Sequence, residues 1–207
     1  MTIISIILTL LIGYIFGCFQ TSYFLSIKFK KKDIRDIGSG NAGASNITSE
    51  MGWRFGILTG FCDMLKAYIP VKIISLIFTT PLYQLDYMAL AGTGAILGHI
   101  FPFFMHFRGG KGIACYIGML IGIDWQIGLL AAGFITIFTI ITDFVSVGSI
   151  LLYISMPILT YYNGNSNIII TCSIILMIVG IIKHWINVQR MLNGNEKGLR
   201  SVIYKNK

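Results

Sequence analysis

Charge is scarce in this chain. Lys, Arg, Asp and Glu make up 12% of its 207 residues, about half the share usual in a soluble domain, and they stand mostly at the ends of apolar runs. Cysteine is sparse as well. Cys18, Cys62, Cys115 and Cys172 lie far apart among apolar neighbours with no C-x-x-C, which excludes a disulfide framework or zinc site and marks them as buried thiols. There is no G-x-S-x-G elbow, no H-E-x-x-H and no histidine followed five positions later by aspartate, so the common hydrolase and metalloprotease arrangements are excluded. A Walker A loop fails too, because His106 and Phe107 stand upstream of Gly110-Lys111, and Gly112 follows where Ser or Thr is needed.

What is abundant is apolar. Hydrophobic residues account for 55% of the chain and the mean hydropathy is +0.77, which places the protein in a membrane. Sixteen Lys and Arg against eight Asp and Glu give a net charge of +8. In a soluble protein that excess would suggest nucleic acid. In a membrane protein it reads as positive-inside topology and anionic substrates, so no nucleic-acid partner is expected.

Apolar runs fall at 3–27, 56–80, 87–105, 113–123, 125–142, 147–162 and 167–183. They predict an all-α polytopic membrane protein of seven transmembrane helices, one of them short, forming a single domain over 1–207. The first run carries no charge and is long enough for a core of about 30 Å. Only Met1 and Thr2 precede it, which argues against a cleaved signal. Lys28, Lys30, Lys31, Lys32 and Arg35 follow it, and such basic loops stay in the cytoplasm. The N-terminus is therefore expected outside. The tail, with Lys183, Arg190, Lys197, Arg200, Lys205 and Lys207 against Glu196, is expected inside, so the number of spans is odd. The run 113–123 rises only about 16 Å and cannot cross alone. No Lys or Arg lies between Gly112 and Ile182, so charge does not separate seven spans from five, and the three further apolar runs favour seven. Parity then places 79–86, Asp124 and 163–167 outside, and 28–55, 106–112, 143–146 and the tail inside. The polar and glycine-rich clusters all fall on the cytoplasmic side.

Three clusters carry candidate chemistry. The first is Gly38, Ser39, Gly40, Asn41, Ala42, Gly43, Ala44, Ser45 and Asn46. Glycine at this density permits positive φ and lets backbone N–H groups converge on an anion, with Ser39, Asn41 and Asn46 adding side-chain hydrogen bonds. The second runs from Gly98 and His99 through Pro102 to Arg108, Gly109, Gly110, Lys111 and Gly112. Lys111 there stands at a helix N-terminus, where the dipole and an ammonium can hold a phosphate together. His99 reads equally as a packed histidine or a catalytic one, and His106 more as packing. The third is His184, Asn187 and Arg190, at i, i+3 and i+6 on one face of a helix leaving the membrane. Snorkelling explains Arg190 but not its two companions. Asp63 and Lys66 sit inside the second run, where ionisable residues are costly, and can pair at i and i+3, while Lys72 lacks an obvious partner.

At these residues the chain resembles the bacterial acyl-phosphate:glycerol-3-phosphate acyltransferase family, the PlsY type, over nearly its whole length. Three ordered motifs carry the likeness: G-S-G-N-x-G-A-x-N at 38–46, G-H-x-F-P…G-G-K-G at 98–112, and H-x-x-N-x-x-R at 184–190. The resemblance implies a seven-span enzyme of the bacterial cell membrane with its site at the cytoplasmic face. It would move a fatty acyl group from acyl phosphate to the sn-1 hydroxyl of glycerol 3-phosphate, giving lysophosphatidate for phospholipid biosynthesis. No metal or nucleotide cofactor and no obligatory protein partner is implied. By motif, Ser39 with Gly38, Gly40, Asn41, Gly43 and Asn46 would hold the acyl phosphate. Lys111 with Gly109, Gly110 and Gly112, together with His184 and Asn187, would hold the glycerol phosphate. A serine of V-S-x-x-S, either Ser146 or Ser149, also contributes. The family is thought to use no enzymic nucleophile, the donor phosphate itself taking the proton.

Four departures from the family pattern stand out. Ser49 replaces an arginine that contacts phosphate, Asp143 replaces a basic residue, D-x-x-K-G reads Asp63, Lys66, Ala67, and E-x-K shortens to Glu196, Lys197. The first two bear on how the acceptor is bound. The competing reading from another class is a non-catalytic membrane protein that binds or moves phosphorylated lipid intermediates.

Overall fold

The computed structural model describes residues 1–201, so Lys205 and Lys207 of the basic tail lie outside the described residues. The described chain is helical: α1 Ile3–Cys18, α2 Thr21–Lys30, α3 Ala44–Met51, α4 Trp53–Ile77, α5 Pro81–Ile100, α6 Ile113–Ile123, α7 Trp125–Thr142, α8 Val145–Tyr162 and α9 Asn167–Leu192, with 3-10 turns at Ile34–Asp36 and Phe103–Met105. Five stretches are long and apolar enough to cross a membrane by length and composition: Ile3–Lys30, Pro81–Met105, Trp125–Thr142, Val145–Tyr162 and Asn167–Leu192. Helix α4 has the length but carries Arg54, Asp63, Lys66 and Lys72, and α6 has only 11 residues. The helices form two compact units, Met1–Gly128 and Leu129–Lys207.

In the first unit α5 is the buried centre, packed by α1, α4 and α6. Small residues allow its crossing with α1. A Cβ on Gly13 or Gly17 would land on the Ala91 or Ala95 backbone, and one on Gly94 or Gly98 on the Leu10 or Tyr14 carbonyl. Close backbone approach of this kind is how helices associate where lipid removes the hydrophobic drive between them. The opposite face of α1 leaves Ile3, Ile4, Ile7, Leu8, Leu11 and Ile15 exposed, as a lipid-facing helix should. Replacing Gly94 by leucine should force the two helices apart and lower the thermal unfolding temperature in detergent. An unchanged transition would mean that the crossing tolerates side chains.

Two boundaries differ from the sequence expectation. The run 3–27 is not one helix but breaks at Phe19 and Gln20, both in extended conformation. Gln20 is fully buried, and its Nε2 donates to the His99 carbonyl at 3.0 Å. The break turns the Phe19 carbonyl toward the Lys66 ammonium, which donates to it. The second correction is at 79–86, expected as a turn. Helix α5 already begins at Pro81, with Thr80 at its N-cap, because proline's fixed φ suits the first helical position. Asp86 is consequently a buried residue of α5. Among the thiols, Cys18, Cys115 and Cys172 are buried, whereas Cys62 is only half-buried; none of the four is in a disulfide.

In the second unit α8 and α9 pack on one another. The Tyr153 ring covers Gly180, where any Cβ would collide with it, and a Thr160 to Ser173 hydroxyl contact of 3.1 Å links the far ends of the pair.

Candidate active site

The glycine loop at 38–43 follows α2 and the first 3-10 turn, and α3 follows it. Gly38 and Gly40 adopt φ of +61° and +76°, a region that glycine enters without strain. Asn46, 3% exposed, holds the loop from inside. Its Oδ1 accepts from the Ser39 N–H at 2.7 Å, and its Nδ2 donates to the Ile34 and Ile37 carbonyls, both at 3.0 Å. The Asn46 amide is thus engaged within the loop, and the Ser39 and Gly40 N–H groups are also bonded there. Ser39 itself is exposed and Asn41 half-buried.

Nearby, Asp33 and Arg35 form a forked ion pair at 2.6 Å, and Arg35 Nη1 donates to the Met105 carbonyl at 2.7 Å. Burial pushes the Asp33 carboxyl up, but the hydrogen bonds and charge of Arg35 prevail and hold it below its ordinary value. That carboxylate keeps Arg35 committed to the scaffold. Arg54 stacks over the Trp53 ring at 5.5 Å. Arg35 is thus held by Asp33 and the Met105 carbonyl, and Arg54 by the Trp53 ring.

The second glycine cluster folds back on the end of α5. The Gly109 N–H donates to the Ile100 carbonyl and the Gly110 N–H to the His99 carbonyl, each at 3.1 Å. Gly110 lies so close that a Cβ would overlap His99 Nε2 and sit 3.0 Å from the Ala42 carbonyl. The first and second motifs therefore abut at Gly110 and Ala42, with half-buried Lys111 the next residue. A small core of Ile34, Ala42, Ile47 and Met105 lies beneath both loops. Gly112 then turns with φ +87° to start α6. His106 is exposed with φ +54°, a loop residue with no part in this contact.

Behind His99 is a buried charge cluster. Lys66 Nζ lies 2.8 Å from Asp63 Oδ1, as the i, i+3 spacing anticipates, and His99 Nδ1 is 3.6 Å from the same oxygen. Lys72 packs over the Tyr68 ring at 5.8 Å. Donor atoms of Asp63, His99 and Cys115 approach within 4.8 Å of one another. The cluster does not fit a divalent ion, because the Lys66 ammonium already supplies the counter-charge to Asp63 and an ion would have to displace it.

The third motif lies in the second unit, on the last turns of α9. His184 is 2% exposed and Asn187 6%, while Arg190 is half-buried. His184 Nδ1 meets the Gly180 carbonyl at 2.8 Å, which fixes the ring and leaves Nε2 as its other polar atom. Asn187 Nδ2 donates to Glu196 Oε1, and the Ser146 hydroxyl reaches that oxygen at 3.4 Å. Ser149, by contrast, donates to the Val145 carbonyl of its own helix at 2.8 Å. Of the two candidate serines, Ser146 joins the Asn187 cluster and Ser149 does not. Glu196 and Gln20 are the polar residues whose roles the sequence reading missed. For Gln20 a signal existed, an amide at the end of a charge-free run.

A half-buried lysine in a glycine-rich turn of one unit, and in the other a buried histidine and an asparagine held by Glu196, are groups that can hold anions in an integral membrane protein. The comparisons make the class specific. A family profile described as glycerol-3-phosphate acyltransferase matches residues 7–194, and the chain belongs to that family. Glycerol-3-phosphate acyltransferase 1 of Oceanobacillus iheyensis is 38% identical over 200 residues, covering 94% of this chain and 95% of the relative. The glycerol-3-phosphate acyltransferase of Lawsonia intracellularis is 39% identical over 197 residues, 94% of each chain. The crystal structure of PlsY, an integral membrane glycerol 3-phosphate acyltransferase, in its glycerol 3-phosphate form superposes with a TM-score of 0.83 at 28% identity, over 94% of this chain and 95% of that one.

Proposed function

We propose that this protein is a membrane acyltransferase of phospholipid biosynthesis that moves a fatty acyl group from acyl phosphate to the sn-1 hydroxyl of glycerol 3-phosphate. The observation that supports it most is the contact of the first two motifs at Gly110 and Ala42, which sets the glycine loop beside Lys111. Ser39 and the surrounding glycine loop hold the donor phosphate, with Asn46 shaping that loop. The family motifs assign Lys111, His184 and Asn187 to the acceptor phosphate, and within the second unit Ser146 supports Asn187 through Glu196. The acceptor hydroxyl attacks the acyl carbonyl, its oxygen forms the new ester, the bond from acyl carbon to phosphate oxygen breaks, and the departing phosphate carries away the hydroxyl proton. Such a reaction needs no enzymic nucleophile. Holding both substrates in line can lower the barrier by about 7 to 11 kcal/mol, and cations and N–H donors compensate the charge.

The same reading takes 1–207 as one catalytic domain of seven spans, with α4 and α6 crossing despite their composition and length. The N-terminus is outside, and both glycine loops and the third motif face the cytoplasm at the bacterial cell membrane. In a background without native cysteines, a cysteine at Asn165 should react with an impermeant thiol reagent in intact cells and one at Lys31 should not. The reverse pattern would put the site outside. For the activity, purified protein given acyl phosphate and glycerol 3-phosphate should release phosphate and form lysophosphatidate only when both are present. Binding of both without phosphate release is what a mere carrier of phosphorylated lipid intermediates would give.

A further inference from the structure

The departure at Asp143 has a structural occupation. Asp143 sits between α7 and α8 with φ +70°, a conformation Asp and Asn tolerate better than other side-chain-bearing residues. Its carbonyl accepts from the Leu199 N–H at 2.7 Å, and its Oδ1 accepts from the Arg200 N–H at 2.8 Å. Gly198 lies directly against Oδ2, so that a Cβ there would overlap the carboxylate. Arg200 adds a guanidinium contact to Oδ1 at 3.9 Å and one to the Ile140 carbonyl at 3.3 Å. With Arg200 67% exposed, that ion pair contributes little. The hold on the chain is the pair of backbone hydrogen bonds.

Between this anchor and the end of α9 lies Glu196, which accepts from Asn187 and from Ser146. Ser146 is itself three residues beyond Asp143. The contacts close a ring: Asp143 to the 198–200 backbone, back along the chain to Glu196, across to Asn187 and Ser146, and along α8 to Asp143. We propose that Asp143 is a positioning residue, a clasp that fixes the 194–200 segment so that Glu196 holds the Asn187 amide in its binding orientation. The acidic residue then serves the scaffold, and its charge need not face the acceptor phosphate. The consequence for acceptor binding rests on the acyltransferase reading above, whereas the clasp itself does not.

Asp143→Gly keeps the positive φ and the main-chain carbonyl and removes the side-chain acceptor, and Asp143→Asn keeps φ and a side-chain acceptor oxygen without charge. Hydrogen exchange of the full-length protein in detergent should quicken at the Arg200 amide by about tenfold in Asp143→Gly, as befits a lost charge-assisted hydrogen bond, whereas the Leu199 amide keeps its main-chain acceptor. Exchange should stay near wild type in Asp143→Asn. Gly198→Ala, which pushes on the same carboxylate from the other side, should also quicken exchange. In the acyl-transfer assay Asp143→Gly should raise KM for glycerol 3-phosphate several-fold with kcat nearly kept, and Asp143→Asn should restore it. Unchanged exchange in Asp143→Gly would overturn the clasp. Quickened exchange with KM unmoved would overturn its link to Asn187. An Asp143→Asn variant as damaged as Asp143→Gly, or a Gly variant that binds acceptor more tightly, would mean that the charge itself acts. If the wild type transfers no acyl group the functional reading fails, and the exchange measurements still decide the clasp.

Discussion

Lys111→Met is expected to cut acyl transfer by two or more orders of magnitude in a protein that still folds. Lys111 follows Gly110, which is pinned to the His99 carbonyl and pressed against Ala42, so its backbone is fixed where the two glycine loops meet. Methionine preserves the apolar stem of this half-buried side chain and removes only the ammonium. An ammonium that anchors the acceptor phosphate also orients the attacking hydroxyl, and loss of such positioning costs about 3 to 4 kcal/mol of the several that proximity supplies, hence the expected loss of about 100- to 1,000-fold. The measurement is phosphate release from acyl phosphate with glycerol 3-phosphate, alongside thermal unfolding in detergent. Near-normal turnover in a folded variant would remove Lys111 from the site. An unfolded variant would make it a scaffold residue.

The sequence made the helices and motifs legible for a plain physical reason. Apolar runs of membrane length have few alternatives to helix, and each of the seven runs is helical, the first as two helices. Glycine at fixed spacing likewise marked where backbone would turn, and the structure brings the first two motifs together at Ala42 and Gly110. What stayed hidden was the satisfaction of buried polar groups by distant partners. Hydropathy gives no reason for the helix to break at Phe19, because the cause is the Lys66 ammonium on another helix. Asn46 read as a substrate contact, yet its amide is engaged by Ser39, Ile34 and Ile37. A spacing pattern does not tell a residue that binds a ligand from one that shapes the loop around it. Asp143 looked like a reversed charge in a binding site because the 199–200 backbone that it holds is far away in sequence.

The second large effect concerns the buried pair beneath the second motif. Lys66→Met should destabilise the protein by about 3 to 5 kcal/mol, the usual result of leaving one partner of a buried ion pair uncompensated. Asp63 is 2% exposed and Lys66 5%, so water cannot replace the ammonium. Membrane-protein yield should fall accordingly, since total stabilities are only about 5 to 15 kcal/mol. Removing the second charge as well, in Lys66→Met with Asp63→Leu, should recover most of that loss, because an apolar pair of similar volume is often neutral or better than a buried ion pair. What the double variant cannot recover is the donor to the Phe19 carbonyl at the helix break, a deficit of about 1 to 3 kcal/mol for a buried acceptor left unmade. Thermal unfolding of the two single variants and the double in the same detergent gives the coupling directly. If Lys66→Met alone unfolds with the wild type, the ammonium is not what holds Asp63. If the double variant is as unstable as the single, the Phe19 contact outweighs the ion pair, and the lysine exists chiefly to satisfy the broken helix.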